Sequence, residues 1–240
     1  DLIKSASQGT FIKEVRFLEE TESTNKSALT MAYHGAPEGT AVIADAQTAG
    51  RGRLGRLWIS PPGKNIYVSL ILRPAIDPSS ASQITLVAGV AVAEMLNTYC
   101  PGRIELKWPN DVLANGRKLC GILAESRVTA EKVEYVVVGI GINVNMEPGH
   151  FDESIRGIAT SIRMEAGAEI PREEVVARLF LSLDRIYRLY LETGFGAIRE
   201  KWLDCSGMIG KDITVSSPDG LVKGTVVGMG AEGQLMYLHE

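Results

Sequence analysis

Apolar and polar residues alternate over residues 11–20 (FIKEVRFLEE) with the period of two expected of a strand with one covered face. The hydroxyl- and amide-rich cluster Thr21-Glu22-Ser23-Thr24-Asn25 follows, and a helix is predicted over 26–34. Ser23 or Thr24 is suited to cap that helix, the commonest use of such residues, and either could instead present its hydroxyl to a ligand. A turn at 35–39 leads into an apolar run at 40–46 that reads as a buried strand, and residues 65–72 (NIYVSLIL) read as a central one. Residues 79–99 carry Ile84, Val87, Ala88, Ala91, Val92, Met95 and Leu96 at helical spacing, closed by Pro101-Gly102. Asn115-Gly116 between two apolar runs predicts a tight type I′ hairpin. The nearly continuous apolar run 133–144 (VEYVVVGIGINV) reads as a strand covered on both faces. Its Gly139 and Gly141 would weaken it unless something approaches closely. A second long helix is predicted over 171–192. Beyond Gly207 come short strands at 209–216, 221–229 and 234–239, separated by a Pro218-Asp219-Gly220 turn and a glycine-rich turn at 230–233. They suggest a small β-barrel fragment appended to the main unit, dividing the chain into 1–206 and 207–240.

Composition narrows the function classes. A chain of 240 residues, 45% hydrophobic, suffices for one substantial core plus a small appended unit. A formal net charge of −4 argues against a protein that coats nucleic acid, so clustered arginines are a local device. The three cysteines (Cys100, Cys120, Cys205) are scattered, without C-x-x-C or Cys/His spacing. They predict neither a disulfide framework nor a zinc site, and they suit a reducing compartment. No uninterrupted apolar run nears the roughly 18 residues of a membrane span, and no signal peptide opens the chain, so a cytoplasmic location is expected.

The candidate chemistry lies in two stretches. The first is Gln47-Thr48-Ala49-Gly50-Arg51-Gly52-Arg53-Leu54-Gly55-Arg56-Leu57-Trp58. Glycines here allow close backbone approach, while arginines offer rigid, permanently charged forks for carboxylate or phosphate. The segment is short and set between apolar runs, unlike an Arg-Gly tract that tracks RNA. It also satisfies G-x-G-x-x-G, but it leads into Ser60-Pro61-Pro62-Gly63 rather than a helix, which disfavours a dinucleotide-binding turn. The second stretch is Lys107-Trp108-Pro109-Asn110-Asp111, followed across the hairpin by Arg117-Lys118-Leu119-Cys120-Gly121. The tight turn returns Lys118 and Gly121 toward Lys107 and Asp111, placing two lysines and a carboxylate in one neighbourhood.

Ser23-Thr24-Asn25, the 50–56 loop with Trp58, the K-W-P-N-D block, K-L-C-G at 118–121 and Gly139-Ile140-Gly141-Ile142-Asn143-Val144-Asn145 occur in the order and spacing of biotin–protein ligases. The chain resembles that family over nearly its whole length. The resemblance implies an α/β (α+β) fold: a mixed, largely antiparallel sheet with flanking helices, like the class II aminoacyl-tRNA synthetase core, then a small SH3-like β-barrel. It implies ATP-dependent activation of biotin to biotinyl-5′-AMP, with Mg²⁺ held mainly by the nucleotide phosphates, and transfer to a lysine of a biotin carboxyl carrier protein. Carried over position by position, Ser23, Thr24, Gln47, Arg51 and Gly121 resemble biotin contacts. Gly50, Arg51, Gly52, Arg53, Trp58, Asn110, Lys118 and Asn143 resemble nucleotide or adenylate contacts. Arg53, Lys118, Lys107 and Asp111 resemble the reaction centre.

Two departures are small: Leu54 stands at an often basic place and Cys120 where alanine is usual. Many members carry an N-terminal winged helix; the residues before 11 leave no room for one, so no DNA binding is expected from these residues. The rivals are lipoate ligase or octanoyltransferase, whose loops lack the paired G-R-G-R, and a ligand-sensing domain that binds adenylate and dimerises. A homodimer is plausible on either reading.

Overall fold

The computed structural model describes residues 2–217 and 220–239. In chain order its elements are α1 (Leu2–Ser7), β1 (Glu14–Thr21), α2 (Thr24–Tyr33), β2 (Thr40–Gln47), β3 (Ile66–Leu72), α3 (Gln83–Asn97), β4 (Ile104–Lys107), β5 (Asp111–Ala114) and β6 (Arg117–Val128). They continue through β7 (Val133–Ile142), α4 (Glu153–Arg156), α5 (Ile162–Ala166), α6 (Arg172–Thr193), α7 (Phe195–Asp204), β8 (Asp212–Ser217), β9 (Gly220–Met229) and β10 (Leu235–His239).

Seven strands form one sheet in the order β1-β2-β3-β7-β6-β5-β4. Only β1 and β2 pair in parallel, joined by a crossover through α2, and every other pair is antiparallel. The period of two explains how the sheet is covered. Val42, Ile71 and Val137 point to one face and pack with Ala28 and Ala32 of α2. Their neighbours Ala41, Ile43, Leu70, Val136 and Val138 point to the other face, into the main core with α3, α6 and α7. With both faces covered, every residue of β3 is buried, as a fully apolar strand requires.

The long helices fall where periodicity places them. The segment Pro78–Asn97 combines a 3₁₀ turn with α3; an 18-residue window of it has a mean hydropathy of 1.3, enough for a membrane span, yet 72% of that window is buried as the protein's own central helix. The 115–116 hairpin has positive φ at both central residues, 50° at Asn115 and 74° at Gly116, as a type I′ turn demands. Helices α1, α4, α5 and α7 have no counterpart among the sequence expectations. The first three are only four to six residues long, too short to show a period. In α7, Phe195, Ile198 and Trp202 face the core over just ten residues.

The three C-terminal strands form a separate antiparallel sheet, β10-β9-β8. The predicted turn at Pro218-Asp219 lies outside the described residues. This sheet is tied to the main unit by Trp108 Nε1 donating to the Gly233 carbonyl at 3.0 Å and Arg199 Nε to the Met229 carbonyl at 2.7 Å.

Candidate active-site cleft

Strand β2 ends at Gln47, whose side chain is locked by its neighbours. Its Oε1 accepts from the Thr24 backbone N–H at 2.9 Å and the Thr24 hydroxyl at 3.2 Å, while Nε2 donates to Ser60 Oγ at 2.8 Å. The chain then rises as a narrow flap. Trp58 N–H donates to the Gly50 carbonyl at 2.9 Å and Gly52 N–H to the Arg56 carbonyl at 2.7 Å, with Arg51 bridged to Leu57. Leu54 at the tip, with φ of 56°, is 88% exposed. No helix follows Gly55, as expected from the prolines beyond.

Beneath the flap lies a cleft of about 740 Å³, walled by the flap, the β4–β5 turn, β6, β7 and the segment 151–159. It brings together Thr24, Gln47, Arg51, Gly52, Arg53, Trp58, Lys107, Asn110, Asp111, Lys118, Gly121 and Asn143. Ser23 and Gly50 lie outside this lining. Ser23 occupies the N-cap position of α2, buried, with its side chain making no capping bond. Gly50 sits under the flap, where a Cβ would collide with the Trp58 carbonyl, Ser60 Oγ and Gln47 Nε2.

The cleft is basic in an acidic protein. Arg51, Arg53, Arg56, Lys107 and Lys118 line it, against Asp111 and Asp152, while the chain as a whole carries −4. Three of those cations have polar partners. Lys118 Nζ is 2.8 Å from Asp111 Oδ1 and lies 5.4 Å from the Trp58 ring centroid. Arg51 pairs with Glu125 at 3.1 Å, and Arg53 Nη1 donates to Asn110 Oδ1 at 3.3 Å. An incoming anion therefore exchanges partners with cations already oriented, which lowers the ordering cost of capture.

Asn110 is held in turn: its Nδ2 donates to the Ile122 carbonyl at 2.8 Å. Asn143 donates to the Thr160 carbonyl at 3.0 Å. Burial pushes the Cys120 thiol, packed behind the lining, well above its ordinary range, and does the same to the phenol of Tyr67, which lines the cleft. Both are neutral packing groups at physiological pH.

The glycines of β6 and β7 do meet a close approach, made by protein groups. A Cβ at Gly141 would sit 2.6 Å from Trp58 Nε1, and one at Gly121 would sit 3.0 Å from Trp58 Cζ3. At Gly139 it would collide with the Asn25 side-chain amide. Trp58 Nε1 is the one buried side-chain polar atom without a partner among the described residues. Burying a donor unpaired costs about 1–3 kcal/mol, and this N–H lies packed against Gly141.

Sequence reasoning missed two supports. Asn25 Nδ2 donates to the Leu123 carbonyl and to Glu125 Oε2 at 2.9 Å, and its Oδ1 accepts from Ser69 Oγ at 2.6 Å. Glu125 links that network to Arg51. Asn25 lay within the quoted polar cluster, so a signal existed; Glu125 looks like any solvent-facing residue of an alternating strand.

The fold and the cleft define an α/β protein whose mixed sheet presents a basic, flap-covered cleft beside a glycine-bearing wall. The chain belongs to the Biotin/lipoate A/B protein ligase family, whose model matches residues 17–143. It is 41% identical over 214 residues to the bifunctional ligase/repressor BirA of Bacillus subtilis, covering 89% of this chain and 66% of that protein. It is 36% identical over 225 residues to the biotin–[acetyl-CoA-carboxylase] ligase of Paracoccus denitrificans, covering 91% of this chain and 92% of the relative. The chain thus spans just under two thirds of the bifunctional relative and nearly all of the other. Among solved structures it is similar to the biotin protein ligase from Aquifex aeolicus in complex with biotin and ATP, with a TM-score of 0.80 and 30% identity over 95% of this chain and 93% of that one.

Proposed function

We propose that the chain is an ATP-dependent biotin–protein ligase: it joins biotin to AMP with release of diphosphate, then transfers biotin to a lysine of a biotin carboxyl carrier protein domain. The observation that carries this reading is the convergence of Arg51, Arg53 and Lys118 on one cleft with Asp111. In the first step the biotin carboxylate attacks the α-phosphorus of ATP. Two unit charges about 4 Å apart repel by about 4 kcal/mol at an effective dielectric of 20. Three converging cations offset that repulsion and stabilise the charge that develops at phosphorus.

Thr24 and Gln47, a locked polar pair at the flap base, suit the ureido ring. Gly121 gives room along the tail, and Lys118 and Arg53 reach carboxylate and phosphate. Asn110 and Asn143 supply amides to the nucleotide, with Gly52 allowing the flap backbone to come near. Ser23 and Gly50 act beneath the lining through their backbone carbonyls, which accept from Ser27 N–H at the start of α2 and from Trp58 N–H at the flap base. The two lining carboxylates, Asp111 and Asp152, are too few to cage a divalent ion alone, which fits Mg²⁺ carried chiefly on phosphate oxygens; bound there, it would neutralise phosphate charge.

In the second step the acceptor amine attacks the mixed anhydride and AMP leaves. Once Lys118 turns to the ligand's anionic oxygens, Asp111 loses its partner. Its carboxylate is then free to orient the incoming amine and take its proton. Lys107, opposite Asp111 across β4–β5, stands at the cleft wall.

Residues 1–206 carry this chemistry in our reading, with 207–240 as a supporting unit, in a cytoplasmic protein; DNA binding is not assigned to these residues. A homodimer is favoured by one observation: beyond Ile122, β6 pairs with β7 on one side only, leaving an edge able to add a strand.

Incubation with biotin, MgATP and a carrier domain, read by intact-mass spectrometry, tests the function. Mass gain on the acceptor lysine supports it. Lipoate-dependent but not biotin-dependent ATP–diphosphate exchange would favour the lipoate rival, and adenylate binding without transfer the sensing domain.

A further inference from the structure

Behind the Asn115–Gly116 hairpin, away from the flap, sits a carboxylate that the chemistry above does not use. Glu165 lies on α5 with its side chain 3% exposed. Its two oxygens accept three hydrogen bonds. Oε1 takes Arg117 Nη2 at 2.7 Å and the Thr160 hydroxyl at 2.6 Å; Oε2 takes Asn115 Nδ2 at 2.6 Å. Its backbone carbonyl also accepts Arg103 Nη1 at 2.9 Å.

The donors surround Lys118. Arg117 precedes it and Asn115 begins the turn that aims it. Thr160 belongs to the segment paired with it: Lys118 N–H donates to the Ile158 carbonyl at 2.7 Å, and Thr160 N–H donates to the Lys118 carbonyl at 2.9 Å. The Thr160 carbonyl holds Asn143 Nδ2. One buried carboxylate thus joins the hairpin that carries the reactive ammonium to Thr160, whose carbonyl accepts from the Asn143 side-chain amide.

We propose that Glu165 is a positioning residue for this reaction: it fixes Lys118 and Asn143 relative to one another, so that the ammonium meets the α-phosphate of a nucleotide held by the amide. The inference rests on the functional reading above. A lone hairpin would not need this. A surface salt bridge contributes little, whereas a buried carboxylate with three charge-assisted or hydroxyl bonds is both stronger and directional. A displacement of about 1 Å at a reacting group can cost about 100-fold in rate.

Glu165→Gln keeps the shape but turns an NH₂ group toward one of its three donors. Activity is to be expressed per biotin-binding site, counted by calorimetry, which removes any loss of folded protein from the comparison. The expected result is an ATP KM raised about fivefold and an adenylation kcat lowered about tenfold, with biotin affinity within about twofold of wild type, because Thr24 and Gln47 lie on separate elements. Arg117→Ala, at a half-exposed position that should fold readily, is expected to give the same pattern at about one third the size. If both variants keep wild-type ATP KM and per-site kcat, whatever their melting temperatures, Glu165 only stabilises the fold and the proposal is overturned. A wild-type chain that makes no adenylate in the same assay overturns the functional reading instead, and this inference with it.

Discussion

The flap at 50–58 and the hairpin at 111–121 both deliver cations to the cleft, yet they are built in opposite ways. The flap is held by three backbone bonds and a bridge; its tip is almost wholly exposed, and Arg51 is tied down by an ion pair whose members are 48% and 26% exposed. The hairpin is continuous with the sheet, bonded on both sides of Lys118, and backed by a buried carboxylate. Local stability follows buried contacts and protected hydrogen bonds, so one device is free to close over a ligand while the other presents a fixed charge. The ligase chemistry proposed above, which admits two anions and then excludes water, calls for both kinds.

Breaking the rigid arm should have the largest effect. Lys118→Met retains the stem and removes the charge; adenylation should fall about 100- to 1,000-fold, the scale seen when one preorganised transition-state donor is lost, as read by biotin-dependent ATP–diphosphate exchange. Asp111→Asn should spare more of that first step and slow transfer from preformed adenylate about 100-fold, within the range of general-base contributions. Transfer at the wild-type rate in single-turnover quench would remove Asp111 from the second step. Loosening the flap should act on retention rather than chemistry. Arg53→Gly is expected to release biotinyl-AMP about 10- to 100-fold faster, since truncating a charged contact acts mainly on dissociation; filter retention of labelled adenylate and bystander lysine labelling both report it. The smallest effect should come from Glu125→Gln, which unties Arg51 in the free protein. A half-exposed pair contributes about 0–1 kcal/mol, so biotin KM should move by less than about fivefold. A larger shift would mean the flap is as firmly set as the hairpin.

Much of this contrast was legible beforehand for a local reason. Asn115-Gly116 specifies its turn from two residues and turns Lys118 back toward Asp111, although a bulge at Val112/Leu113 that the turn does not encode sets the register that places Gly121 opposite Asp111. The apolar periods of α3, α6 and β3 likewise register burial residue by residue. Helix α5 offers five residues and no period, so neither it nor Glu165 stood out. Glu125 was hidden because its meaning depends on Asn25, 100 residues away.

The sequence by itself determined which segments are strands and which are long helices, where the tight turn falls, and which residue types cluster near it, because each depends on neighbours within a few positions. Only the tertiary structure decided that β7 inserts between β3 and β6, that the Trp58 indole covers Gly121 and Gly141, and that Glu165 stands behind Lys118. Those contacts join segments far apart in the chain. No local pattern encodes a partner that folding alone brings within reach.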